Sequence, residues 1–245
     1  MLAYRSGIFP MADAREDSEI FWVEPRRRAV LPLDAFHLSH SLAKVLRRDT
    51  FSVTCNHAIA RVIRECAAPR PDAAETWISR RIEDSYLELH ERGLAHSIEC
   101  WREGELVGGL YGVGFDRVFC GESMFSRADN ASKVALAWLV AALRRGGCVL
   151  LDCQFITRHL ASLGAVEIAQ GDYLKQLRAA QRPTLGEAAT EGLAAGLGDG
   201  EAAGDAAGAG LALPDGFAAL LADAAGAGLS SSPGNFIAQS LTHTS

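Results

Sequence analysis

Two short stretches hold the residues best suited to chemistry. Cys148–Gln154, CVLLDCQ, is an apolar run that ends in a carboxylate and an amide, Asp152 and Gln154. Such a run reads as a buried strand with polar groups at its C-terminal end. Side chains alternate along a strand, so Asp152 and Gln154 face one side and Cys153 the other. A carboxylate and an amide placed side by side could hydrogen-bond one shared ligand. On local sequence alone, Asp152 could equally cap the next helix and Gln154 satisfy a loop. The second stretch, Gly121–Ser126, GESMFS, puts Glu122 inside another predicted strand. A carboxylate on a core strand is costly unless it is paired or binds something. Arg127 or Arg102 could supply a structural ion pair. If Glu122 instead faces the hollow of Asp152 and Gln154, two acids and an amide converge beside Met124, Leu110 and Leu151. An apolar pocket with a few polar groups is how a small hydrophobic amino acid would be held.

Other motifs fall away on inspection. Gly108–Gly114, GGLYGVG, has the composition of a nucleotide loop but lies within strands rather than ahead of a helix. Its glycines read as a bulge or as room for a ligand close to the backbone. None of the six cysteines has CxxC spacing, and the seven histidines include no HExxH pair, so no metal is expected. Buried free thiols in a reducing compartment are the economical reading.

The elements that must position these groups follow from periodicity. Residues 2–5 read as the end of a helix, and Arg28–Leu33 as a strand. His37–Arg48 has helical spacing, 51–54 is a short strand, and Asn56 can cap a helix through Ile59, Val62 and Ile63. Pro69 and Pro71 break the chain before a helix over Ser79–Arg92. Segments 95–101, 105–115 and 117–125 form a predicted antiparallel meander. Asp129 or Asn130 then caps a long helix to Arg145, closed by Gly146 and Gly147. CVLLDCQ, a helix over 158–163, a strand over 165–168 and a helix from Asp172 to about Gln181 complete the body.

Meander, helix, strand, helix, strand is the order of an acetyltransferase-like (GNAT-like) fold. That is an α+β architecture in three layers, a mixed sheet flanked by helices. The groove is expected where the central strands splay. Acetyltransferases hold the pyrophosphate of coenzyme A on glycine-rich amides ahead of the long helix. Here that turn is Ser126-Arg127-Ala128-Asp129-Asn130-Ala131, without a glycine and with an acid at its centre. An acyl-transfer fold lacking its usual carrier site needs another carrier.

The chain of 245 residues could hold one large domain or two small ones, and its net charge is −6. All 24 Lys and Arg lie within residues 1–182, which carry +1, while residues 183–245 carry −7. Arginine dominates, 21 against 3 lysines, and its planar fork suits phosphate. No apolar run reaches the length of a membrane span, and the N-terminus does not read as a signal peptide, so a cytoplasmic location is expected. Residues 1–28 read as the remnant of a small, truncated N-terminal domain and 29–182 as the catalytic domain. Residues 183–231 read as an Ala/Gly-rich acidic linker, in which Leu211–Leu221 can form a short helix. The tail, 232–245, reads as an edge strand docked on the body or as a disordered end.

Five blocks together resemble one known family: GIFPM (7–11), HSIECWREGELVGGLYGV (96–113), FCGESMFSRADNASKVAL (119–136), LDCQ (151–154) and HLASLGAVEI (159–168). The family is leucyl/phenylalanyl-tRNA–protein transferase, and the resemblance runs from about residue 3 to 180. It implies a bacterial, cytoplasmic enzyme with an acetyltransferase-like fold and a small N-terminal domain. It also implies transfer of Leu or Phe, and Met less well, from aminoacyl-tRNA to an N-terminal Arg or Lys, marking the acceptor protein for N-end-rule degradation. By resemblance, Asp152 and Gln154 match the catalytic pair, Glu122 the pocket carboxylate, and Trp77 a tryptophan near the tRNA 3′ end. Leu110, Gly121, Met124, Leu136, Leu139, Leu143 and Leu151 match the lining of the side-chain pocket. Several of these are aromatic or Met in other members. Members also usually have roughly thirty more residues at the start, and the Ala/Gly-rich stretch near 184–231 is unusual. No cofactor is implied, and a monomer is expected.

The implied reaction is aminolysis of an activated ester, which needs no metal or nucleotide to drive it. An ordinary aspartate, with a pKa near 4, is a poor general base for an α-amine. Asp152 is therefore expected to orient Gln154, whose carbonyl accepts a hydrogen bond from the attacking amine. The tRNA phosphates are expected to meet arginines among Arg26, Arg27, Arg28, Arg47, Arg48, Arg80 and Arg81, with others of the chain as solvated surface. Two rivals stand beside this reading. One is an acetyl-CoA-dependent acetyltransferase, which the missing pyrophosphate loop disfavours. The other is a non-catalytic tRNA-binding or adaptor paralogue.

Overall fold

Apolar alternation through the middle of the chain folds into one mixed seven-stranded sheet. The computed structural model describes residues 1–69, 75–182 and 213–242. The meander is β5 (Ala95–Arg102), β6 (Glu105–Phe115) and β7 (Val118–Ser126). Glu103 and Gly104 turn β5 into β6 with positive φ, 53° and 82°, which suits the twist of a two-residue hairpin. Helix α5 (Ala131–Arg145) then crosses over to β8 (Leu150–Gln154), which pairs with β7 in parallel. β3 (Arg27–Val30) inserts antiparallel between β8 and β9 (Val166–Ala169), and β4 (Ser52–Cys55) pairs with β5. The order is β4-β5-β6-β7-β8-β3-β9.

Helices cover both faces. On one side lie α2 (His40–Arg47), α5 and α6 (Arg158–Ser162), whose apolar residues share a core with Leu110 and Leu151. On the other lie α3 (Ile59–Ala67), α4 (Arg80–Glu91) and α7 (Gln170–Ala180), around Tyr111 and Val113. Ser39, Ser79 and Thr157 start α2, α4 and α6 by accepting the backbone N–H three residues on. A small N-terminal region, α1 (Leu2–Arg5) with the hairpin β1 (Phe9–Met11) and β2 (Phe21–Val23), puts Tyr4 and Phe9 into the second core. Among the described residues no helix is long and apolar enough to cross a membrane.

Three expectations need correction. The tail is neither a strand nor a disordered end over its described part, because Pro233–Thr242 is a helix. Ile237, Ala238 and Leu241 recur at helical spacing and are buried there, a period that its β-like composition disguised. Within the stretch read as linker, the short helix expected over Leu211–Leu221 is present and longer, Leu213–Gly226, and it buries Phe217 and Leu220, so this end is part of the body rather than linker. We label these helices α8 (213–226) and α9 (233–242). Residues 183–212 and 243–245, and the break at Pro71, lie outside the described residues. Finally, Asn56 does not cap α3. It sits at φ 59°, and its side chain is taken by Ser97 N and His96 Nδ1. The Glu99 carboxylate accepts from Ala58 N at the start of α3 instead.

The glycines of GGLYGVG serve the fold. A Cβ on Gly108 would lie 2.5 Å from the Ala131 Cβ at the start of α5. One on Gly112 would lie 2.2 Å from the Cys120 carbonyl oxygen. What approaches the backbone there is the protein's own helix and strand rather than a ligand.

Candidate active site

The parallel pairing of β7 with β8 ends at Cys120 and Asp152, and beyond it the two strands part. On β7, Gly112 faces Gly121 while Tyr111 faces Ser123, so Glu122 is the extra residue of a bulge. On β8, Gln154 takes φ 59°, a left-handed conformation uncommon outside glycine. The fork opens into a cavity of about 700 Å³. Leu110, Met124, Leu136, Leu139 and Leu151 supply apolar wall, and Gly121, Glu122, Gln154 and Trp77 also line it. Leu143 does not. It is wholly buried in the core one turn beyond Leu139, and the assignment of Leu143 to the pocket is corrected accordingly.

Asp152 does not share the hollow with Gln154 as strict alternation requires. It is absent from the cavity wall, and its side chain is fully enclosed. Arg28 grips it with two hydrogen bonds, Nε to Oδ1 at 2.8 Å and Nη2 to Oδ2 at 2.5 Å. Tyr173 OH donates to Oδ2 at 2.9 Å, and the backbone N–H of Gln154 donates to Oδ1 at 2.9 Å. The carboxylate therefore holds Gln154 by its main chain, at the residue whose backbone leaves strand geometry.

Arg28 is 1% exposed and cannot meet a tRNA phosphate, which corrects its assignment to an RNA surface. Its guanidinium carbon lies 4.6 Å from the ring centroids of both Phe9 and Tyr173, and its third bond reaches the Gly7 carbonyl at 3.0 Å. Burial pulls its pKa down, but the ion pair with Asp152 outweighs this and the net shift is upward. The other arginines assigned to the RNA surface are exposed. Arg27 pairs with Glu167, Arg80 with Glu16, and Arg81 donates to the Ser18 carbonyl, while Arg26, Arg47 and Arg48 stand on the surface.

Glu122 is 7% exposed and pairs with neither Arg127 nor Arg102. Arg127 is taken by Glu65, and Arg102 lies over the Phe51 ring. Tyr86 OH donates to Glu122 Oε2 at 2.7 Å, and the Tyr4 hydroxyl is 2.8 Å from that of Tyr86. Among the described residues Oε1 has no partner, and neither does Gln154 Nε2. Burial pushes the Glu122 pKa up to about 7, against the lowering by the tyrosine hydroxyls. A half-satisfied, buried carboxylate beside an apolar cavity is well placed to receive a cationic group.

Sequence reasoning missed Tyr4, Tyr86, Tyr173 and Phe9. The sequence places Tyr86 within the helix over Ser79–Arg92 and Tyr4 at a helix end, and neither position marks a site. The available signal was that a buried tyrosine hydroxyl needs a partner.

Two family profiles match the chain. One, described as leucyl/phenylalanyl-tRNA protein transferase, covers residues 30–178; the other, the N-terminal domain of the same transferase, covers residues 1–26. A leucyl/phenylalanyl-tRNA–protein transferase of Novosphingobium aromaticivorans is 66% identical over 247 residues, 99% of this chain and 94% of the relative. One of Rhizorhabdus wittichii is 58% identical over 194 residues, 79% of this chain and 77% of the relative. With the enclosed carboxylate–amide site, these matches define a transferase enzyme. The chain belongs to the leucyl/phenylalanyl-tRNA protein transferase family.

Proposed function

We propose that this enzyme moves Leu or Phe, and Met less well, from aminoacyl-tRNA to the α-amine of an N-terminal Arg or Lys. The product is a protein marked for N-end-rule degradation. We place this activity in the cytoplasm, in a monomer whose sheet and helices follow the acetyltransferase-like plan, with residues 1–28 as a small N-terminal domain. One observation carries the reading. Two buried polar atoms at the wall of a largely apolar cavity, Glu122 Oε1 and Gln154 Nε2, lack partners among the described residues. An aminoacyl ester with an apolar side chain supplies what they lack.

In this account the donor side chain enters between Leu110, Met124, Leu136, Leu139 and Leu151. A β-branch is excluded by width, a modest discrimination per methyl group. Glu122 accepts the donor's α-ammonium. Trp77 stacks on the 3′-terminal base, as aromatic side chains do at single-stranded ends. The acceptor amine attacks the ester carbonyl carbon, a C–N bond forms, and the C–O bond to ribose breaks. The amine's proton ends on the departing ribose hydroxyl. Gln154 takes a hydrogen bond from the amine on its carbonyl, and Nε2 donates to the ester oxygen where negative charge gathers. Asp152 never touches substrate but fixes the Gln154 backbone. Phosphates of the tRNA meet the exposed Arg26, Arg47 and Arg48, and Arg27, Arg80 and Arg81 join by exchanging their present partners.

Incubation with labelled Leu-tRNA and a peptide starting with Arg tests the reading. Labelled leucine is expected on that peptide, little on one starting with Glu, and little valine from Val-tRNA. A folded protein that leaves all label on the tRNA would overturn it. Binding of coenzyme A would instead favour the acetyltransferase reading.

A further inference from the structure

Helices α8 and α9 lie outside the residues matched by either family profile, yet they pack on the helix that forms the pocket wall. On α5, Ser132, Leu136 and Leu139 line the cavity, spaced so that they share one stripe. Trp138, Ala142 and Arg145 have the same spacing on another stripe, and that stripe meets α8. The Trp138 and Phe217 rings stand 5.2 Å apart. A Cβ on Gly216 would fall 2.4 Å from the Ala142 carbonyl oxygen, so α8 approaches α5 as closely as a glycine permits. Arg145 Nε donates to Asp223 at 2.9 Å.

The second helix locks the first. Asp49, just past α2, accepts from Gly234 N at 2.7 Å and from the Ser232 hydroxyl. A Cβ on Gly234 would be 2.4 Å from the Leu46 carbonyl oxygen. α9 thus sits against α2, α5 and α8. Between these helices and the sheet, every residue from Ala131 to Leu143 except Lys133 is buried. A helix backed by a sheet on one side alone can slide; one enclosed at close-packed density has a single seat.

We propose that the α8–α9 pair is a brace that sets the depth and width of the donor pocket, with Phe217 as its positioning residue. Phe217 acts through Trp138 on the seat of α5 and so on Leu136 and Leu139. The proposal rests on the reading that the cavity holds the donor's side chain.

The test compares Phe217→Ala, Phe217→Leu and Leu139→Ala in the full chain. KM and kcat are measured for Leu-tRNA, for Ile-charged tRNA and for the acceptor peptide, with melting curves alongside. Phe217→Ala is expected to raise the Leu-tRNA KM and to narrow the Leu-over-Ile preference by roughly tenfold. It should leave the acceptor-peptide KM at its wild-type value. Phe217→Leu should show the same changes to a smaller degree, and it carries the test if the Ala variant does not fold. Wild-type donor KM and preference in Phe217 variants that merely melt earlier would overturn the brace. If Leu139→Ala changes the preference and the Phe217 variants do not, the brace alone fails. If Leu139→Ala also leaves it unchanged, the pocket reading fails with it.

Discussion

Asp152→Asn is expected to lower stability by about 3–5 kcal/mol, because it strands the buried Arg28 charge. Turnover is expected to fall by at least ~10²-fold, the scale of an ångström-level misplacement of a reacting group. The reason lies in where the carboxylate is spent. Both oxygens are committed, to Arg28, to Tyr173 and to the backbone of Gln154. None of this contact is with the cavity. The neutral amide cannot pair with Arg28 on both atoms, so the strand end loosens where Gln154 holds φ 59°. Arg28→Met separates placement from chemistry. It keeps the carboxylate but removes the guanidinium clamped between Phe9 and Tyr173. Turnover should fall by a similar factor. Wild-type turnover in a folded Arg28→Met protein would show that the carboxylate acts on substrate without needing its anchor.

Glu122→Gln should stabilise the unliganded protein while weakening donor binding. Burial raises the Glu122 pKa from 4.5 to about 7, so the native state prefers the protonated acid. That preference is worth most below pH 4.5, and it is lost as pH rises toward 7. Above pH 7 the native state carries the full cost of a buried, half-satisfied carboxylate. The Gln variant escapes this cost, so its advantage grows between pH 4.5 and 7 and levels off at up to about 3 kcal/mol. Denaturation across that range checks the sign, and parallel pH curves for the two proteins would contradict it. Donor binding moves the other way, since the amide offers no charge to an α-ammonium. A charge-assisted hydrogen bond is worth about 1.5–3 kcal/mol, which sets the expected loss. In the wild type, donor affinity should fall as pH drops below 7, because the protonated acid cannot pair with the ammonium.

Much of this site was legible because its signals are local. GESMFS and LDCQ put polar groups on strands too apolar to carry them idly. The order of elements predicts a mixed sheet that splays, while Leu136 and Leu139 come only from the family resemblance. What stayed hidden depends on contacts distant in sequence. Arg28 sits in a run of three arginines, and only the fold singles out the one turned inward to Asp152, 124 residues away. The left-handed turn at Gln154 and the bulge at Glu122 break the alternation from which their directions were read. Tyr4 meets Tyr86 across 82 residues, and neither carries a local mark of that contact. The tail misled for another reason. Asn235–Ser245 has a strand-like composition, while its helical period shows only through which side chains are buried against α2 and α5.

The most direct test of the account is single-turnover transfer from Leu-tRNA by Gln154→Ala, with donor affinity measured on the same protein. In the proposed mechanism Gln154 acts on the reacting atoms and not on tRNA grip. The account therefore predicts a rate lower by about 10²-fold or more at near wild-type affinity. An undiminished rate, or a fall in affinity that accounts for the whole loss, would contradict it.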